Sequence, residues 1–167
     1  MIRGRLVNLK PFDVHDLEFL LRWNNDPDYS GEFEPYDLTT REELTEWLSK
    51  EKPRQMWYLI QDLKGENIGQ IVGFVSDDES AQIGYRMLPN ARGRGNCRDA
   101  VRALAKCLFK NGVKRIVAES NSLNIASIKV LESVGFRRVG YKERSLLVNN
   151  VWLDGIIFEL IPTDLIR

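Results

Sequence analysis

The segment that most constrains the fold is a helix with an unusual start. From about Gly95 to Lys110, Cys97, Ala100, Val101, Leu104, Cys107 and Leu108 fall on one helical stripe and Arg98, Arg102, Lys106 and Lys110 on another. The helix is entered through Arg92-Gly93-Arg94-Gly95-Asn96-Cys97, directly after a predicted strand from Ala81 to Met87. Backbone N–H groups at a helix start lack intrahelical partners, and glycines let that backbone come close to a ligand. Arg92, Arg94 and Arg98 gather positive charge there, which costs about 0.3–1 kcal/mol per residue without a counter-ion. The turn therefore reads as a phosphate site, with a solvated basic turn as the plain alternative. Its spacing is not Gly-x-x-x-x-Gly-Lys-Ser/Thr, and no Gly-x-Gly-x-x-Gly follows a first strand, which excludes a nucleoside-triphosphate loop and a dinucleotide fold.

The remaining elements are shorter. Residues 3–10 alternate as a strand and stop at Pro11, and Asp13 caps a helix carrying Leu17, Leu20, Leu21 and Trp23. Asp26-Pro27-Asp28 breaks that helix, and residues 24–38 read as a polar loop rich in acids and aromatics. Thr39 or Thr40 caps a second helix through about Lys50. Met56 to Gln61 and Ile68 to Val75 are strands around Lys64-Gly65-Glu66-Asn67. Arg115 to Glu119 is a short strand, Asn124 to Val134 a helix ended by Gly135, and 136–148 and 151–161 are two long strands. The order β α α β β β α β α β β predicts a mixed α+β fold. With no repeat or linker, residues 1–167 are expected to form one domain.

Composition removes several functions. Lys plus Arg number 24 against 24 Asp plus Glu, so the basic excess of a nucleic-acid binder is missing. One histidine, His15, and two cysteines, Cys97 and Cys107, cannot furnish a His/Cys metal site, and no metal is expected. The cysteines stand ten apart on one helix, about 15 Å, beyond disulfide reach. Free thiols, the lack of an 18-residue apolar run and the charged N-terminus predict a cytoplasmic chain that does not enter a membrane.

Five ordered motifs then carry a resemblance. Gln82-Ile83-Gly84-Tyr85-Arg86-Met87, Arg92-x-x-Gly95, Asn124-x-x-Ser127, Gly135-Phe136 and Asn149-Asn150-x-Trp152-x-Asp154, preceded by Trp23-Asn24-Asn25-Asp26-Pro27, resemble the GNAT acetyltransferases, and within them the RimJ/RimL-type ribosomal-protein N-acetyltransferases. The resemblance spans nearly the whole chain. It implies a bent mixed sheet of about seven strands with helices on both faces, splayed between two central strands to admit pantetheine. It also implies acetyl-CoA as co-substrate, its pyrophosphate on Arg92, Gly93, Arg94, Gly95, Asn96, Cys97 and Arg98, and its pantetheine on the backbone at Met87 and Leu88 and on Asn124. The expected partners are acetyl-CoA and an amine acceptor, without nucleic acid or membrane, in a monomer or homodimer. The chain departs from the pattern in three places. Cys97 stands where the loop usually ends in Gly or Ala, Gln82 where many members have Glu, and Leu131 where relatives often carry a Tyr acid.

Acetyl transfer from a thioester to an amine needs a neutral amine. An alkyl amine with a pKa of about 10.4 is about 3.4 units away at pH 7, roughly 4.6 kcal/mol, whereas a thiol near 8.5 needs help over only about 1.5. A peptide α-amine at about 7.7–8.0 nearly removes the base requirement. The favoured reaction is therefore direct attack by a protein N-terminal α-amine. The alternatives are a polyamine or aminoglycoside-like acceptor and a non-catalytic acyl-CoA-binding module. Ser127 is expected to donate to the departing sulfur, with Glu79 as a base through water and Tyr141 as a proton donor. Glu32, Glu34, Tyr36, Gln82 and Asp154 are the expected acceptor-binding residues. Asp154 lies on the strand face of Trp152, Ile156 and Phe158, and its partner is read as an arginine or the substrate ammonium.

Overall fold

The computed structural model describes residues 1–50 and 54–166. Strands β1 (Ile2–Arg3), β2 (Val7–Pro11), β3 (Gln55–Asp62), β4 (Asn67–Val75), β5 (Ser80–Met87), β6 (Arg115–Asn121), β7 (Arg137–Val148) and β8 (Val151–Leu160) form one eight-stranded sheet in the order β1-β2-β3-β4-β5-β6-β8-β7. Helices α1 (Leu17–Asn24), α2 (Pro27–Ser30) and α3 (Arg41–Ser49) pack on one face, and α4 (Asn96–Lys110) and α5 (Ile125–Val134) on the other. None of the described helices is long and apolar enough to cross a membrane.

The α4 stripe explains the larger core. Ala100, Val101, Leu104, Ala105 and Leu108 are fully buried, packed with Ile71, Ile83, Ile116 and Phe158 from the sheet. Burying each Leu contributes about 1.5–3 kcal/mol. On the opposite face Leu20, Trp23, Tyr29, Leu44 and Leu59 make a second core, with Trp23 and Tyr29 ring centroids 5.2 Å apart.

Three details differ from the sequence reading. The strand count is eight because residues 3–10 divide at a turn, whose Arg5, Leu6 and Val7 amides donate to Asp99 Oδ2 at 2.7, 2.7 and 3.2 Å. Gly4 is required beside that turn, since a Cβ would lie 2.2 Å from the same oxygen. Asp26-Pro27 ends α1 but also starts α2, with Asp26 accepting from the Asp28 amide at 2.9 Å and Pro27 fixing the first helical position. Arg102 belongs to the basic stripe by spacing, yet it is buried and bound to Asp99.

Neighbouring strands are antiparallel except β5 and β6, which run parallel. Their pairing covers only Ser80↔Arg115, Ala81↔Ile116 and Gln82↔Val117. Beyond it β5 continues to Met87 and β6 to Asn121 without pairing, so the sheet is split there.

A candidate active-site cleft between parallel strands

β5 leads into α4 and β6 into α5, so both helices begin at the end where the parallel strands part. Ligands of open α/β sheets sit at such a place, outside the carboxyl ends of the strands. Here the edge of β5 facing β6 is free from Ile83 onward.

One side of the cleft is formed by the two helix starts. Gly93 (φ 74°) and Gly95 (φ 80°) adopt the left-handed backbone that brings the chain into α4 without a side-chain cap. The first helical hydrogen bond runs from the Asp99 amide to the Gly95 carbonyl at 3.0 Å, leaving the amides of residues 96–98 to an external acceptor. Arg94 and Arg98 are exposed beside them. Arg92 differs: its guanidinium donates to the carbonyls of Met87 (3.1 Å), Asp28 (2.9 Å) and Tyr29 (3.2 Å) and ties the loop to α2. Asn96 Nδ2 donates to the Ala91 carbonyl at 3.3 Å. Met87 is buried and Leu88 half-buried, its amide donating to the Ile68 carbonyl at 2.9 Å. Burial pushes the Cys97 thiol up to about 12, so it is an inert packing group.

Asn124 caps α5, its Oδ1 accepting from the Ser127 amide at 3.1 Å. Ser127 Oγ lies 3.0 Å from the hydroxyl of Tyr85, across the split. Burial, with the Cys97 thiol beside it, pushes the Tyr85 phenol far above its ordinary range. In the sequence Tyr85 appears only within the Gln82–Met87 motif, without a role of its own. The available signal was alternation: it shares the inward face of β5 with Ile83 and Met87, and an inward tyrosine needs a partner for its hydroxyl.

The other side is acidic. By register, Gln82 and Arg86 of β5 share a face with Val117, Glu119 and Asn121 of β6. A cavity of about 210 Å³ is lined by Glu34, Glu119, Asn121, Ser145, Leu146 and Gly155. Glu34 approaches Arg86 at 3.6 Å, and burial raises its carboxyl while Arg86 opposes the rise. Glu119 pairs with Lys142 at 2.8 Å. Asn121 Nδ2 is buried without a partner. At Gly155 a Cβ would stand 2.6 Å from Glu119 Oε1 and 2.7 Å from Ser145 Oγ, so a side chain there would push both groups aside. Glu119, Asn121 and Ser145 were not nominated from sequence. Gln82 is exposed on this side, as is Glu32 on the loop, and the Tyr36 hydroxyl donates to the Asn25 carbonyl at 2.9 Å. A larger cavity of about 370 Å³, lined by Arg5, Lys106, Phe109, Pro162 and Leu165, shares no residue with the cleft.

Two of the expected site residues stand in contacts the sequence did not suggest. Asp154 is half-buried, but its partners are the Tyr141 hydroxyl and the Arg144 amide (2.8 Å), not a guanidinium. The Tyr141 bond and then the Arg144 amide hold the Asp154 carboxyl below its ordinary range, and the same bond raises Tyr141. Glu79 ion-pairs with Lys114 just before β5, at the paired end of the split strands, while Asp77 pairs with Arg54 and Asp78 with Arg115. The helix-start loop follows the other end of β5, about 25 Å away at 3.3 Å per residue.

Residues 6–137 match the family described as Acetyltransferase (GNAT) domain. The chain is 24% identical over 167 residues to the uncharacterized N-acetyltransferase YnaD of Bacillus subtilis (strain 168), covering 98% of each. Its fold superposes with a TM-score of 0.86 on spermidine N-acetyltransferase from Vibrio cholerae in complex with CoA and spermine, at 18% identity over 95% of this chain and 97% of that one. It superposes at 0.83 on ribosomal-protein-S5-alanine acetyltransferase from Vibrio fischeri, at 21% identity over 99% and 98%.

Proposed function

The chain belongs to the GNAT acetyltransferase family and is an acetyl-CoA-dependent acyltransferase, and from that premise we propose that it acetylates a primary amine that enters the acidic side of the cleft as a cation, with a peptide N-terminal α-amine as the favoured acceptor. One observation carries the reading: the cavity on that side has two carboxylates, Glu34 and Glu119, on its wall. The α-amine is preferred on chemical grounds. Gln82 cannot take a proton, and an amine of pKa about 7.7–8.0 needs far less base assistance than one of about 10.4. A polyamine is the second reading, favoured by the presence of two separate carboxylates that could each meet a charge. The protein-acceptor reading places the chain with the RimJ/RimL-type branch.

The residues divide the work as follows. The amides of residues 96–98 with Arg94 and Arg98 would hold the co-substrate's phosphates, the free edge of β5 and Asn124 its pantetheine, and Ser127 its sulfur. Arg92 serves this site by holding the loop in place. The amine, once neutral, attacks the thioester carbonyl directly. The C–N bond forms, the C–S bond breaks, the electron pair leaves on sulfur and the surplus amine proton passes to solvent.

Release of CoA across an amine panel tests this. A basic peptide or a polyamine should outcompete a neutral hydrophobic amine at low salt, and Glu34→Gln should raise the acceptor KM about tenfold with the acetyl-CoA KM unchanged, as loss of a binding contact requires. Neutral amines winning would overturn the acceptor reading. Absence of release with every amine, while acetyl-CoA still raises the Tm, would point to a binding module.

A further inference from the structure

We infer that Tyr85 is a positioning residue for acetyl transfer: its hydroxyl donates to Ser127 Oγ and thereby aims the one Ser127 hydroxyl proton at the departing sulfur. The inference rests on the acyl-transfer reading of Ser127 given above.

The geometry permits two arrangements of the 3.0 Å contact, and the surroundings choose between them. A serine hydroxyl has one proton and two lone pairs. If Ser127 donated to Tyr85, its only proton would be consumed, and the phenol proton would be left with the Ser127 carbonyl at 3.5 Å, the outer limit of a hydrogen bond. If Tyr85 donates, both groups are satisfied and the serine proton remains free.

Tyr85 is not itself the acid. It is largely enclosed by the core, next to the Cys97 thiol, and burial holds its proton far above its ordinary range. A tyrosinate there is less accessible than a CoA thiolate near 8.5 in water. During transfer both Tyr85 and Ser127 therefore keep their protons. The sulfur gains charge and receives a hydrogen bond, and its proton comes later from solvent.

A double-mutant cycle on kcat tests the arrangement. Tyr85→Phe removes one oxygen and should lower kcat by up to about thirtyfold, as Ser127→Ala does, since about 1.5 pKa units is the whole deficit on the thiol side. The double variant should be no slower than Ser127→Ala, because one hydrogen-bond chain is lost once. The acetyl-CoA KM should stay unchanged, and both deficits should shrink with an acetyl thioester of a more acidic thiol, a dependence that a purely structural defect would not show. Ser127→Ala slow with Tyr85→Phe at the wild-type rate overturns the positioning role alone. Wild-type rates in both overturn the Ser127 reading as well. Multiplying defects would mean independent roles and also overturn the inference. Should Tyr85→Phe fail to fold, site-specific 3-fluorotyrosine at 85, a stronger donor, should keep kcat at or above the wild-type value, and a fall would count against it.

Discussion

The parallel strands β5 and β6 end differently, and the contrast locates the chemistry. At the paired end every nearby acid has a cation: Asp77 has Arg54, Asp78 and Glu159 share Arg115, and Glu79 has Lys114. At the parted end the acids have cations too, Glu34 with Arg86 at 3.6 Å and Glu119 with Lys142 at 2.8 Å, but other polar groups are left short of partners: the amides of residues 96–98 and the buried Asn121 amide. Closed charge pairs on a surface add little and recognise nothing. Incomplete pairing inside a cleft is what a ligand can complete.

The parted end stays in shape because a buried acid anchors it, and removing that acid should give the largest effect. Asp99 in the first turn of α4 takes three amides from the β1–β2 turn and the Arg102 guanidinium. Asp99→Ala would leave Arg102 buried without its counter-charge, a loss of about 3–5 kcal/mol of stability that denaturant unfolding would measure. Burial alone would raise the Asp99 carboxyl, but the Leu6 amide, Arg102, Val7 and Arg5 outweigh it and keep it low. With the folded value depressed, this contribution is complete above the unfolded pKa of about 3.9 and is lost as pH falls through the folded one. Wild-type stability should fall on acidification below about pH 4, and the variant should lack that part of the decline.

Ser127→Ala comes next. In the role proposed for it the hydroxyl acts as the sulfur gains charge, so up to about 2 kcal/mol, thirtyfold, should be lost from kcat with little change in the acetyl-CoA KM. A wild-type rate in a folded variant would leave the parted end with a helix serine and no chemical role. Asn124→Ala should show the opposite balance. The contact to pantetheine proposed for it would exist before the reaction, so the acetyl-CoA KM should rise while kcat changes little. Because Asn124 Oδ1 also caps α5, about 1 kcal/mol of stability should go with it.

What the sequence made legible follows the same division between local and distant partners. The α4 stripe, the glycine turn and the Asn124 cap were readable because each is a pattern within one or two helical turns. The sheet expected as about seven strands has eight, and the eighth exists because Asp99 captures a turn some ninety positions earlier in the chain. No window of sequence contains both. The acids 77–79 drew attention by adjacency, yet their cations lie on β6, just before it and before β3, so they fold into closed pairs. Glu119 is one acid in an ordinary strand, and only the register beside Gln82 and Val117 puts it in the cleft with Glu34. Tyr141 and Asp154 likewise found each other across a β-hairpin.

The smallest expected effect is the sharpest test of the contrast, because it falls on a residue whose chemistry looked catalytic. Glu79 is a carboxylate immediately before the strand that carries Gln82, but its side chain is half-exposed and engaged by Lys114. Its backbone also sits at φ 60°, and its carbonyl takes the Lys114 amide at 2.8 Å, so the residue closes the turn that pairs β5 with β6. Glu79→Gln should therefore leave kcat, both KM values and the pH–rate profile at their wild-type values. Glu79→Gly should separate backbone from side chain: it removes the same carboxylate but accepts the left-handed conformation without steric cost, so Tm should hold or rise slightly while turnover stays the same. A base acting through water would behave otherwise. Both variants would then lose turnover together, most steeply below the pKa of the acceptor amine, and the paired end of β5 and β6 would have to be counted as part of the active site.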